Sequence, residues 1–381
     1  MSNDELIGTN QFVCDPVYLG FAEDVTDSNR FRLRSHFMPL GKIGGKPSWL
    51  SYRPLPTAAD LTCSNCQKTM CFLLQMYATR PHDPEHAFHR ALFVFVCREP
   101  SCSQTNVASN FKVFRCQLPR VNEFYRSDRA YDPDVDGDVE PDEPVEKFTQ
   151  LCEMCGCEAT KKCARCELRW YCSKEHQAAH WKLAHKAECA VEGLKARVEF
   201  DNPIVFPEFG IGIDLEERDI EDFDDSDDDC NAAEDEDEGT EAARMAEYRR
   251  FLVEQQQQPT GGIDDTDVDE IEETNRDVRF KRFNRIIQEN PDQILRYQRG
   301  GEPLWATDTA PVPTSIPDCE LCGASRQFEA QLTSRLLPLI GVDAVGLSID
   351  WATVAVFTCS ASCAIPDHGY APEFVVKQDF Q

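Results

Sequence analysis

A frame reading Gly-Gly-x-Pro-x-Trp occurs twice in this chain, at Gly44–Trp49 and at Gly300–Trp305, and in both copies the first glycine stands 19 positions before a Cys-x-x-Cys pair, Cys63/Cys66 and Cys319/Cys322. Each pair is answered by a second one behind an apolar run, Cys97/Cys102 after Leu92–Val96 and Cys359/Cys363 after Val354–Thr358. Two copies of one cysteine unit, far apart in sequence, constrain the fold more than any local pattern does. At 381 residues the length suggests two or three domains with enough chain for a proper core.

The compartment follows from cysteine usage. Nineteen cysteines, most of them in short pairs, read as metal ligands, since Met1–Gly20 has no basic region followed by an apolar run that would send the chain to an oxidising space. No stretch approaches the ~20 apolar residues of a membrane span. The expectation is a soluble, intracellular protein.

The formal net charge of −29 is local in origin. Residues 201–275 hold 28 acidic and 4 basic residues, and Asp132–Glu146 adds eight acids and no base, so everything else nets +3. Nearly neutral folded parts with two acidic strings argue against direct nucleic-acid binding, which wants a basic surface. A basic protein partner is the complement.

The organisation is mainly β, within an α+β class. Residues 1–127 carry short apolar or alternating runs at Phe31–Leu33, Phe72–Met76, Ala91–Cys97 and Lys112–Leu118, punctuated by Gly and Pro. Residues 128–150 read as an acidic linker, 151–190 as a compact Cys/His block and 201–275 as a disordered acidic low-complexity linker, in which Glu241–Glu254 could form a short helix. Residues 276–381 open with helical spacing over Asp277–Glu289, stopped at Pro291 before a second short helix toward Tyr297, and continue as another β-rich stretch. Two small related units flank everything else. The reading is that they pack as one duplicated, metal-stapled β module with the middle of the chain inserted, because either alone would leave a sheet face bare.

The middle block presents Cys152, Cys155, Cys163, Cys166, Cys172, His176, His185 and Cys189, eight donors and therefore two tetrahedral sites. About 40 residues that cannot bury a core fold around metal instead. Cys157 reads as a packed thiol and His180 as an exposed helical histidine outside the ligand set. Cys63, Cys66, Cys97 and Cys102 are expected to form one four-sulfur zinc site and Cys319, Cys322, Cys359 and Cys363 another; the alternative is buried structural cysteines without metal. Four protein ligands leave no open position for water or substrate, so such zincs hold structure and catalyse nothing.

Catalytic signatures are absent: the chain has neither a phosphate-cradling Gly-x-x-x-x-Gly-Lys nor a Gly-x-Ser-x-Gly elbow, and His86 with His89 lacks the glutamate of a helical zinc protease. The chain is expected not to be an enzyme. His89 reads as a satisfied structural residue, Trp49 and Trp305 as packing residues, and Phe124-Tyr125 as either a contact edge or a strand terminus packed on the core.

Tyr171-Cys-Ser-x-x-His-Gln, followed by Trp181 and by His185-Lys-x-x-Cys189, resembles the MYND zinc finger. The resemblance implies cross-braced pairing, with Cys152, Cys155, Cys172 and His176 on one zinc and Cys163, Cys166, His185 and Cys189 on the other. With this block between the two cysteine frames, and with Tyr18-Leu-Gly-Phe, Phe88-His-Arg, Val113-Phe-Arg-x-Gln-Leu-Pro-Arg120 and Arg299-Gly-Gly-Glu-Pro-Leu-Trp305 in order, the chain resembles the programmed cell death protein 2 family over nearly all its length except 128–150 and 201–275. That resemblance implies a dedicated chaperone of a small-subunit ribosomal protein, the universal S-five type (S-two in eukaryotic naming), acting in the cytoplasm and nucleus. A second reading is a MYND adaptor that brings proline-containing peptides to a transcription or chromatin complex. A third, a MYND-containing SET-domain methyltransferase, lacks an Asn-His-Ser-Cys-type cofactor motif. Ser226, followed by three aspartates, would suit an acid-directed kinase.

Overall fold

The computed structural model describes residues 16–27, 30, 33, 41–125, 145–189, 200–217, 277–342 and 348–380. Ten strands close into one barrel: β1 (Tyr18–Glu23), β2 (Lys42–Ile43), β3 (Cys71–Tyr77), β4 (His89–Val96), β5 (Phe111–Leu118), β8 (Phe209–Leu215), β9 (Gln293–Tyr297), β10 (Arg326–Thr333), β11 (Thr353–Cys359) and β12 (Tyr370–Gln378). The two remaining short strands, β6 (Lys161–Lys162) and β7 (Trp170–Tyr171), form a hairpin in the Cys/His block. Around the barrel the order is β1, β8, β2, β3, β4, β5, β12, β11, β10, β9 and back to β1, with antiparallel pairing throughout. Closure removes every sheet edge, which an open sheet of this size would leave as a pairing hazard. Among the described residues no helix is long and apolar enough to cross a membrane.

Five barrel strands precede the Cys/His block and five follow it, and each set lends its first strand to the other. β1 pairs with β9, Tyr18 opposite Tyr297, while β8 pairs with β2, Gly210 opposite Lys42. The β1–β8 contact completes the seam. Gly20 is what lets β1 lie there: a Cβ on it would stand 3.0 Å from Leu295 Cβ and 3.1 Å from Ile211 Cγ2. Gly44, at a φ of +61°, has the carbonyl oxygen of Pro207 1.9 Å from where its Cβ would be, so the first frame's glycine admits the chain that leads into β8.

The stretch read as an acidic linker from 201 onward therefore differs from the structure at its start. Phe209–Leu215 is a barrel strand, and Phe206 and Ile211 are buried in the barrel's core. Its alternation of Phe209, Ile211, Ile213 and Leu215 is a period-two strand signal masked by the acidic composition downstream. The second short helix expected toward Tyr297 is likewise strand β9, whose five residues are all buried; a fully buried strand shows no polar alternation and mimics a helical segment. The helix Val278–Glu289 is present, with Phe283 and Ile286 buried. Glu241–Glu254, Ser226, 126–144 and the first two positions of the run Phe31–Leu33 lie outside the described residues.

Strand β4 explains its own continuous apolar run: all eight residues are buried, Leu92, Val94 and Val96 toward the barrel interior and Phe93 and Phe95 toward a second cluster on the outer face. The interior is apolar through its middle and ion-paired at one end. There Arg90 and Glu329, each with a fully buried side chain, meet through two hydrogen bonds, Arg90 Nη2 donating to Glu329 Oε2 at 2.7 Å. Arg299 Nε at 3.1 Å and the Tyr297 hydroxyl at 3.0 Å donate to Glu329 Oε1, and Thr358 Oγ1 donates to the other oxygen. Nearby, Glu373 takes Arg115 at 2.6 Å and Arg326 at 2.9 Å. Two of these pairs, Arg90–Glu329 and Arg115–Glu373, join residues from opposite sides of the inserted block.

Burial alone would raise the Glu329 pKa, but the guanidiniums of Arg90 and Arg299, with hydrogen bonds from Arg90 and Thr358, hold it at about 2 against an ordinary 4.5. A depressed carboxyl adds stability that is whole above pH 4.5 and drains away as pH falls toward 2. Glu329→Gln, which leaves buried Arg90 without its counter-charge and Arg299 with Asp83 alone, is expected to cost about 3–5 kcal/mol at neutral pH in denaturant unfolding. The gap between wild type and variant should narrow as pH drops below 4.5; a neutral substitution at pH 7 would refute the account of this pair.

Candidate metal centres

Four Cys-x-x-Cys turns in the chain share one backbone design. In each, the N–H four residues on donates to the carbonyl of the first cysteine: Gln67 to Cys63 at 3.0 Å, Gly156 to Cys152 at 2.9 Å, Glu167 to Cys163 at 2.9 Å and Gly323 to Cys319 at 2.8 Å. That donor residue sits at positive φ every time, 59°, 71°, 59° and 71° in the same order. The turn aims backbone N–H groups at sulfur. Burial works to raise the Cys63 thiol, but N–H groups of Cys66 and Asn65 together with the Cys97 and Cys66 sulfurs outweigh it and bring it to about 7; at Cys163 burial is likewise outweighed by the N–H of Cys166, by His185, by the N–H of Arg165 and by the Cys166 sulfur, giving about 6. A thiol so placed is ready to be a thiolate ligand.

Each turn meets a second pair of donors. Cys63, Cys66, Cys97 and Cys102 gather at one end of the barrel, where β4 ends; Cys319, Cys322, Cys359 and Cys363 gather at the opposite end, where β11 ends. Cys152, Cys155, Cys172 and His176 form a third group, and Cys163, Cys166, His185 and Cys189 a fourth, with the donor atoms of every group within 4.8 Å of one another. Sulfur separations are 3.5 Å for Cys66–Cys97, 3.6 Å for Cys155–Cys172, 3.9 Å for Cys163–Cys189 and 3.6 Å for Cys322–Cys359. Ligands at about 2.3 Å from a zinc at the centre of a tetrahedron would be about 3.8 Å apart. Disulfide sulfurs would be at about 2.05 Å. The donor sets and spacings fit a tetrahedral ion bound by soft ligands.

The Cys/His block is built around its donors. Ser173 caps the helix Lys174–His180, its Oγ accepting from His176 N–H at 3.1 Å, and so fixes His176 in the first turn with Nδ1 3.2 Å from Cys172 Sγ. The wider turn Trp181–His185 then carries His185, whose Nε2 is 3.5 Å from Cys166 Sγ. The opposite nitrogen of that ring, Nδ1, faces Glu188 at 3.7 Å, and Arg169 lies between Glu188 at 3.4 Å and Glu153 at 3.8 Å. At that distance Glu188 is a charge neighbour of the imidazole and not a hydrogen-bond acceptor for it. Neither Glu188 nor Arg169 stands out in the sequence; the one signal is a glutamate three residues after a donor histidine.

His180 and Cys157 lie outside all four groups. His180 is buried, contrary to the exposed position expected of it: its Nδ1 is 3.0 Å from the Tyr171 hydroxyl and its ring stacks on His185. Burial, then the nearby His185, lowers its pKa to about 4. His89 is buried with Nδ1 2.7 Å from the Tyr77 hydroxyl, and burial lowers it to about 4 as well. Phe124 and Tyr125 are packed inside, the Tyr125 hydroxyl donating to Leu50 O at 2.6 Å, which leaves the packed-terminus reading of that pair.

The block sits on the first Gly-Gly-x-Pro-x-Trp frame. Trp49 stacks on Phe93 and Phe95, and its indole N–H donates to Gly156 O at 2.8 Å; Lys46 Nζ donates to Glu153 O at 2.6 Å, and Asn202 Nδ2 to Met154 O at 2.7 Å. Thus the turn that carries Cys152 and Cys155 is clamped to the barrel through its carbonyls. A Cβ at Gly156 would come 2.7 Å from Lys46 Cβ. Gly156→Ala is expected to cost about 1–3 kcal/mol through its positive φ and this clash, and to raise hydrogen exchange across 151–189 while β4 stays protected. Unchanged exchange would show that the clamp does not hold the block.

Comparison with known proteins places these features. The chain matches the family models of the programmed cell death protein 2 N-terminal domain over residues 16–132, the programmed cell death protein 2 C-terminal putative domain over 277–379 and the MYND finger over 152–189. It is 38% identical to programmed cell death protein 2 of Mus musculus and 39% identical to that of Bos taurus, in each case over 96% of both chains. It is 33% identical to the probable 20S rRNA accumulation protein 4 of Schizosaccharomyces pombe, over 25% of this chain and 27% of that one. No solved structure matches.

Proposed function

This chain belongs to the programmed cell death protein 2 family, and on that premise we propose that it is a non-enzymatic, zinc-stapled chaperone that captures a newly made small-subunit ribosomal protein, of the universal S-five type, and delivers it to the assembling small subunit. Family membership over 96% of the chain carries the reading, and the name of the S. pombe relative points the same way, toward ribosome biogenesis. A ribosomal protein without its rRNA is basic and prone to bind stray polyanions. The strings at 132–146 and 201–275, with eight and 28 acids, supply the opposite charge.

Zinc is the ion that best suits the four donor groups, two in the MYND finger and one at each end of the barrel. When bound it supplies cross-links and no chemistry, because every group is closed by four protein donors. The Cys/His residues themselves tie sequence-distant turns together, at the two barrel ends and within the finger.

We infer further that the barrel is a duplicated module. Positions 256 apart repeat their roles: Gln75 brackets the backbone of Ser48, accepting from its N–H at 2.7 Å and donating to its carbonyl at 3.1 Å, and Gln331 brackets Leu304 at the same two distances. Both β3 and β10 shift register just after the matched residues Phe72 and Phe328. The strand order, with first strands exchanged, is what a two-fold pairing of such halves produces.

The chaperone works in the cytoplasm and nucleus in this reading. A MYND adaptor for proline-containing peptides is the competing one, favoured by the finger's match to its family model. Native mass spectrometry of full-length protein purified from its own cells separates them: four zinc ions and an equimolar small-subunit ribosomal protein are expected. Two ions and no ribosomal protein would leave the adaptor.

A further inference from the structure

The two Gly-Gly-x-Pro-x-Trp frames present like surfaces, and only one of them is covered among the described residues. On the first, Trp49 is buried beneath the finger, its indole N–H satisfied by Gly156 O and its neighbour Lys46 donating to Glu153 O. On the second, Trp305 lies over Phe328, Ala355 and Phe357 on the outer face of β10 and β11, and it stays half-buried together with Ile316, Phe374 and Val376. Among the described residues its indole N–H has no hydrogen-bond acceptor. Leu304, where the first frame has Ser48, is half-buried too and packs on a separate cluster, Phe283, Ala306 and Ala352.

One substitution between the frames sets the sign of what fits. Lys46, which donates to a finger carbonyl, is matched 256 positions on by Glu302, an exposed carboxylate with no ion pair among the described residues. The covered frame takes a turn that offers carbonyl oxygens. The open frame keeps the indole donor, replaces the cation by an anion and adds a leucine side chain.

We propose that this open face, Glu302, Leu304 and Trp305 with Ile316, Phe374 and Val376, is the seat for the basic client polypeptide. A turn of the client would present a backbone carbonyl to Trp305 Nε1–H, as Gly156 does to Trp49, with an apolar side chain on Ile316 and Phe374 and a lysine or arginine on Glu302. Charge complementarity commits the seat to a basic partner; an acidic segment would meet the Glu302 carboxylate as a like charge. Aromatic side chains that a partner buries, with the indole N–H finding an acceptor there, are where interface energy concentrates. The proposal rests on the chaperone reading and names the surface that reading requires.

The test uses full-length protein co-expressed with the small-subunit ribosomal protein named above, comparing wild type with Glu302→Lys, Leu304→Glu and Trp305→Phe. Glu302→Lys and Leu304→Glu are expected to weaken binding by at least about tenfold, with zinc content and melting temperature unchanged, and Trp305→Phe to weaken it less. Should a variant melt early, a photo-crosslinking residue at position 304 replaces it, and a crosslink to the client is expected. Wild-type affinity in the variants, or no crosslink at 304, overturns the seat and leaves the chaperone reading standing. A wild type that binds no ribosomal protein removes that reading and this proposal with it. A client-free dimer that Glu302→Lys dissociates would assign the face to a second copy of the chain and overturn the proposal as well.

Discussion

Glu329 is the charge on which the barrel depends. It sits fully buried and gathers Arg90 from β4, Arg299 after β9, Tyr297 and Thr358, so that a single carboxylate holds strands from before and after the inserted finger. A buried ion pair adds little net stability compared with a well-packed apolar replacement, but it is unforgiving of misassembly, because any other register leaves a guanidinium dry and unpaired. With Arg90 and Glu329 separated by 239 positions in sequence, such a lock favours the one closure of the barrel in which β4 and β10 bring them together. The apolar middle of the barrel supplies the larger driving force and is less particular about partners.

The cysteine groups complement that core. Of the two built on the barrel itself, one lies at either end and each gathers a tight turn and a distant pair; Cys63, Cys97 and Cys102 pack within the outer aromatic cluster, whereas Cys319, Cys322, Cys359 and Cys363 belong to none of the apolar clusters. The finger goes further: its core is mostly its own donors together with Met154, Tyr171 and the barrel aromatics below. Its seat on Lys46, Pro47 and Trp49 makes it a part of the same body. Coordination thus adds cross-links between turns that are distant in sequence, which is consistent with so many cysteines in a chain with a sizeable core.

What is legible in the sequence is whatever repeats or carries fixed spacing. The sixteen donors can be read because a Cys-x-x-Cys turn needs a particular local backbone, and the same four-residue hydrogen bond recurs at Cys63, Cys152, Cys163 and Cys319. Strands β3, β4 and β5 are legible as apolar runs between Gly and Pro. β8 is not, because its four alternating apolar residues adjoin a long acidic tract that sets the average over any wide window. The exchange of first strands has no local signature at all: β1 and β9 are paired by the closing of the whole barrel. His180 reads as exposed for a similar reason, since the helix that carries it gains its buried face only when Tyr171, His185 and Phe200 close around it.

For the chaperone reading, a barrel locked across its halves offers a rigid scaffold, with one outer face occupied by the finger and the matching face uncovered among the described residues. Strands from both ends of the chain, β8 included, close one barrel and are expected to open as a single cooperative unit. Native-state hydrogen exchange on the metal-loaded full-length protein tests it most directly. The slowest amides of β4, β8 and β10 are expected to share one opening free energy. Protection lost in β8, or one value for the strands within 18–118 and a separate value for those within 293–378, would contradict it.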